Sequence, residues 1–189
     1  MKDVLTILLL LCTFAVCMFP WPESFASEYK SNFTHIPAVE KYPIRAGTWQ
    51  RTPTVIICEY APVKRNQINK AVQFWSDLGH SFFRTQYKHD PLNKCRSTQP
   101  VGYITVHLVH QDLKLDPDSL AETHFFVNNE TNEIEWATIY MRSTIPETVL
   151  EHELGHALGY LHYNKINHLM NSKWTQGGWD TEGLQETRR

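Results

Sequence analysis

Three histidines and a glutamate stand at metal-binding spacing in the string His152-Glu153-Leu154-Gly155-His156-Ala157-Leu158-Gly159-Tyr160-Leu161-His162. At about 100° per residue, positions four apart differ by about 40° around a helix. His152 and His156 therefore project from one face and can grip a single ion. Glu153, one residue on from His152, points to the side of that ion and can reach a water held there. Gly159 falls where the helix must end, since glycine takes the left-handed conformation that turns a chain sharply. Three residues later His162 can swing back with a third nitrogen. Three protein ligands leave a fourth position for water, which is how a catalytic zinc differs from a closed structural one. All-nitrogen ligation suits zinc, although spacing alone leaves other imidazole-binding metals open. With ten histidines in 189 residues, chance pairs are expected. The whole string, however, arises by chance on the order of once in ten thousand such sequences, so coincidence is set aside.

These residues need a frame. Thr144-Ile145-Pro146-Glu147 has the form of a capping box with proline in the first turn, and predicts that the metal-binding helix starts there and runs to Gly159. Upstream, Thr54 to Tyr60 is a β-branched run stopped by Ala61-Pro62 and reads as a strand. Ile68, Ala71, Val72, Trp75 and Leu78 recur at helical spacing, predicting a helix from about Val63 to Leu78 that Gly79 ends, its apolar stripe packed on a sheet. Phe82 to Tyr87 and Tyr103 to Val109 read as further strands, the latter alternating apolar and polar residues. A Pro-bounded loop from Pro91 to Pro100 carries Cys95. His124 to Val127 and Ile134 to Met141 flank the turn-rich Asn128 to Asn132 and read as a hairpin.

The chain is long enough for one domain with its own core. A formal charge of −2, with no basic stripe, gives no reason to expect a nucleic-acid partner. Lys2 and the apolar run from Val4 to Phe19 are followed by Ser24-Phe25-Ala26, a small-x-small site. Residues 1–26 thus read as a signal peptide, with an uncleaved membrane anchor as the alternative; Cys17 lies in a poor lipid-attachment context. Residues 27–50 read as a leader or short pro-segment and 51–189 as the domain, expected to be secreted and monomeric. Cys58 and Cys95 are an even pair in the exported part, which invites a disulfide, with two buried thiols as the alternative. Asn32-Phe33-Thr34 and Asn129-Glu130-Thr131 are glycosylation sequons, used only in a eukaryotic secretory pathway.

The eleven residues from His152 to His162 resemble the extended zinc signature of the metzincin metallopeptidases. Met170, eight residues after His162 in Asn167-His168-Leu169-Met170-Asn171-Ser172, is similar to the Met-turn that floors the metal site in that family. His168 beside it reads as a turn residue. Ala157-Leu158-Gly159 and Asp180-Thr181-Glu182-Gly183-Leu184-Gln185 are similar to the matrixin branch, the latter to the start of its C-terminal helix. The resemblance implies an α/β fold, with a twisted five-stranded mostly parallel sheet, one antiparallel edge strand, an active-site helix and a C-terminal helix. It implies a zinc-dependent endopeptidase of extracellular proteins, with one catalytic Zn2+ on His152, His156 and His162, Glu153 as general base and Met170 beneath. An extended peptide would pair with the edge strand at His124 to Val127. The alternative is a secreted zinc-binding protein of the same fold that no longer cleaves.

The sequence departs from matrixins in four ways. Tyr163 follows the third histidine, and its hydroxyl is placed to be considered as a further ligand. The Pro-Arg-Cys-Gly latency switch is absent, and so is the His-x-Asp loop that holds a second zinc. Asp112, Asp116 and Asp118 can be read as a calcium site, but no motif supports it and solvated acids explain them. No accessory domain is recognised, so a minimal catalytic domain is expected. Preference for substrate side chains should depend on Asn171 to Gly178, with Lys173, Trp174 and Gln176 in the wall and Trp174 alternatively in the core.

Overall fold

A computed structural model describes residues 41–97, 100–109, 113, 115–116, 118–142, 146 and 148–186. The segment read as a signal peptide, most of that read as a leader, Asn32, Asp112 and most of the capping box (Thr144, Ile145 and Glu147) lie outside the described residues. The fold is mixed α/β. Its strands are β1 (Thr48–Trp49), β2 (Thr54–Ile57), β3 (Arg84–Tyr87), β4 (Tyr103–Leu108), β5 (Ala121–Asn128) and β6 (Glu133–Met141); its helices are α1 (Arg65–Asp77) and α2 (Val149–Ala157). They form one sheet in which β3, β2, β4 and β6 lie parallel in that order. Short β1 pairs with β6 beyond the end of β4, and β5 runs antiparallel along the other side of β6. The five-stranded sheet with one antiparallel edge is therefore present, with β1 as an addition.

Alternation explains what faces where. Val55, Ile57, Ile104, Val106, Ala137, Ile139 and Met141 point into the core shared with both helices and are almost completely buried. The opposite face is not bare, because Ile56, Thr105 and Thr138 are also buried and the two threonine hydroxyls lie 3.1 Å apart. Burial on both faces is why β2 reads as an uninterrupted Val-Ile-Ile run. β5 starts three residues before the predicted His124 and brings Ala121, Thr123 and Phe125 to the helix face.

α1 follows its predicted stripe, burying Ile68, Ala71 and Trp75. The Trp75 indole N–H donates to the Glu151 carbonyl at 2.8 Å and its ring stacks on Tyr160, fastening α1 to α2.

Three expectations need correction. Helix α2 begins at Val149 after Thr148, which has a φ of 76° and whose carbonyl accepts the first helical bond from His152 N–H; Pro146 lies outside the helix. Asp180 to Gln185 forms turns, not a helix, because Asp180 Oδ1 takes the Glu182 N–H and Gly183 has a φ of +81°. Residues 44–49, read as the end of a leader, are built into the fold. The Ala46 N–H donates to Gly159 O, the Leu161 N–H to Ile44 O, the Trp49 indole to Ala157 O and Arg45 Nε to Leu158 O.

Cys58 and Cys95 form a disulfide. It ties the end of β2 to the loop before β4 across 37 residues of sequence. Replacing both cysteines with serine should cost about 3–4 kcal/mol of folding free energy, the loop entropy returned to the unfolded chain. Denaturant midpoints of the two proteins check this, and equal midpoints would argue against it.

Candidate metal centre

Helix α2 is short and mostly buried; Glu151 faces the side of α1, while His152, Glu153 and His156 face a cleft on another side. His152 and His156 sit one turn apart on that side, and the chain then reverses at Gly159, whose φ is +97°. A side chain there has no room, because a Cβ on Gly159 would lie 2.4 Å from the Gly47 carbonyl oxygen. The reversal returns His162 to the same point. His156 Nε2 lies 3.0 Å from His152 Nε2 and 3.1 Å from His162 Nε2. In tetrahedral zinc complexes, bonds of about 2.0–2.1 Å put nitrogens about 3.3 Å apart, so the three atoms could hold a metal ion with only a small adjustment.

The surroundings also fix the protonation of the rings. His152 Nδ1 faces the Leu169 carbonyl and His156 Nδ1 the Tyr160 carbonyl, each at 2.7 Å, so Nδ1–H donates and the Nε2 lone pair points inward. Burial, and secondarily the neighbouring histidines, lowers the pKa of His152 to about 4 and that of His156 well below its ordinary value. Burial lowers His162 as well. His152 and His156 thus turn Nε2 lone pairs toward the point that His162 Nε2 also reaches, an arrangement that a cation would relieve.

Glu153, adjacent in sequence, is also buried, and burial raises its pKa to about 7. The Thr123 hydroxyl, 2.5 Å from Oε2, opposes that shift. Thr123 went unremarked in the sequence; the signal was the Ala121-x-Thr123-x-Phe125 alternation of an edge strand that begins earlier than its apolar run.

Below the helix Met170 is fully buried. Its N–H donates to His168 Nδ1 at 3.0 Å, and its carbonyl accepts from Tyr163 N–H at 2.8 Å. His168 Nε2–H donates to the Glu182 carbonyl, so this histidine holds the turn and ligates nothing. Asn164, Asn171 and the Lys165 bridges to Asp180 and Glu182 clamp the rest of the loop. The Tyr163 hydroxyl donates to the Lys41 carbonyl and is thus committed elsewhere. Among the described residues no fourth histidine, cysteine or carboxylate joins the three imidazoles.

In front of them lies a cleft of about 670 Å³ between β5 and the loop beyond Met170. Glu122 and Thr123 line one wall, and Asn171, Lys173 and Trp174 the other. Trp174 is 56% exposed, so its place is the wall and not the core, whereas Gln176 does not line the cleft. Asp116 and Asp118 are exposed at the rim, and Asp116 Oδ1 accepts the Asp118 N–H as in an ordinary turn. Asn129 is exposed in the β5–β6 turn.

Comparison with protein-family models matches none of them to this chain, and comparison with curated proteins likewise finds no match.

Two outcomes follow from this packing. A Cβ at Gly155 would lie 2.5 Å from Met170 Sδ and 2.8 Å from Trp75 Cζ2. Gly155→Ala should therefore destabilise the protein by about 1–3 kcal/mol and weaken metal binding, read from melts with and without added zinc. The second concerns the metal-free protein. Its three site histidines bind protons more weakly folded than unfolded, so stability falls as the pH drops below 6.5, reaching about 4 for His152. Glu153 acts in the opposite sense, its contribution being lost as the pH rises through about 7. Three groups outweigh one, so the melting temperature should fall between pH 6.5 and pH 4.5. A rise would contradict neutral histidines.

Proposed function

We propose that this protein is a zinc-dependent endopeptidase of the metzincin kind, nearest to the matrixin branch, acting on extracellular proteins. The observation that carries the reading is the convergence of three imidazole Nε2 atoms beside a buried carboxyl group, at the mouth of an open cleft. His152, His156 and His162 would hold the ion. When bound, zinc makes a water acidic enough to ionise near neutral pH and polarises a peptide carbonyl.

The chain's own residues supply the remainder. Glu153 takes the proton of the attacking water as general base, and an ordinary carboxylate pKa raised by burial makes it a better acceptor at neutral pH. The same carboxyl then delivers the proton to the departing amine. Among the described residues β5 pairs with β6 alone, and an extended peptide can add along its other edge, beside Glu153, as a further strand. Met170 keeps the floor dry and the ligand loop in place. The disulfide agrees with folding in an oxidising, exported compartment.

The test is chelator-sensitive cleavage of casein or a peptide library by the zinc-loaded protein. Glu153→Ala should retain one zinc per chain and lose cleavage by about a hundredfold or more. A variant that cuts at the wild-type rate removes Glu153 from the mechanism. A zinc-loaded wild type without chelator-sensitive cleavage would instead favour a binding protein that no longer cleaves.

A further inference from the structure

Thr123 projects from β5 towards α2, and its hydroxyl lies 2.5 Å from Glu153 Oε2 and 3.2 Å from the Glu153 main-chain carbonyl. Both residues are buried. A hydroxyl has one proton to donate, and the shorter contact to a charged acceptor takes it. Oε1 has no hydrogen-bond partner among the described residues, yet every fully enclosed side-chain nitrogen or oxygen has one. Oε1 therefore reaches open space, and the space that Glu153 lines is the cleft before the three imidazoles. In water the two oxygens of a carboxylate are equivalent. Here one is occupied and the other free.

We propose that Thr123 is a positioning residue that occupies Glu153 Oε2 and so reserves Oε1 for the proton of the reaction. This rests on Glu153 acting as the general base. An O–H bond of the attacking water breaks, its electron pair stays on the water oxygen, and the proton bonds to Oε1. When the tetrahedral adduct collapses, the Oε1–H bond breaks and that proton goes to the leaving amine nitrogen. With Oε2 held by Thr123, the proton does not lodge on the far oxygen and the carboxyl does not rotate between its two uses. Fixing the acceptor lowers the cost of reaching a reactive geometry.

Thr123→Val keeps the side-chain shape and removes the hydroxyl. Its kcat should fall about tenfold or more, with KM within about twofold and zinc content unchanged, and Thr123→Ser should restore most of the rate. A second measurement needs neither metal nor turnover. In carbon-13 spectra of the metal-free protein, the Glu153 carboxyl resonance, identified by its loss in Glu153→Gln, should move in Thr123→Val and return in Thr123→Ser. Thr123→Ala serves the same purpose if the valine variant fails to fold. Wild-type kcat in Thr123→Val overturns the positioning role, and an unmoved carboxyl resonance overturns the hydrogen bond whatever the rates show. A wild-type protein that cleaves nothing, with the resonance moving as expected, overturns the peptidase reading and the catalytic half of this one while leaving the hydrogen bond standing.

Discussion

The structure turns on one constraint: a nine-residue helix, α2, is buried on nearly every side and yet must present two imidazoles and a carboxyl to open space. Leu150, Leu154 and Ala157 meet the rest of the core, Gly155 lets Met170 and Trp75 approach closely, and the side facing the cleft carries His152, Glu153 and His156. Such a helix is too short to be stable alone, so its position is set by what packs around it. β5, α1 and the Met170 turn are in this sense parts of the site, although none of them contributes a ligand.

Burial then tunes the chemistry. The same loss of water lowers the histidine pKa values and raises that of Glu153, so imidazoles are neutral and the carboxyl is basic at one pH. Main-chain carbonyls of Leu169 and Tyr160 select the tautomer that leaves Nε2 free. Those carbonyls lie on the two chain segments that follow the helix. The fold around the helix end therefore orients both imidazoles as well as supplying His162.

That end is held from a distance. Arg45 donates to the Leu158 carbonyl, lies over the Tyr160 ring and pairs with Glu186. Trp49 reaches the Ala157 carbonyl, and the close approach of Gly47 to Gly159 leaves no space for a side chain. Carbonyls at a helix C-terminus lack helical partners; here the N–H groups of residues 158–160 meet those of Gly155 and His156, and Trp49, Arg45 and Ala46 meet those of Ala157, Leu158 and Gly159. The cost of the sharp turn that recovers His162 is thus met by a segment more than a hundred residues earlier.

The chain by itself determined the histidine spacing, the glutamate beside it and the glycine at the reversal, because helical geometry is local and four residues always make about one turn. It also determined most strands and α1, whose periodicities of two and 3.6 are written in consecutive residues. Local signals misled where a longer-range partner decided. The predicted start at Thr144 gave way to Thr148, the matrixin-like Asp180 to Gln185 became turns around Gly183, and residues 44–49 left the leader for the sheet and helix end. Thr123 has no sequence mark of its role, since a threonine in a strand is ordinary. Only pairing β5 against β6, with α2 packed across it, placed that hydroxyl on Glu153. The histidine pattern was local in origin, but the arrangement that gives the carboxyl one held oxygen and one free oxygen arose from contacts between distant segments.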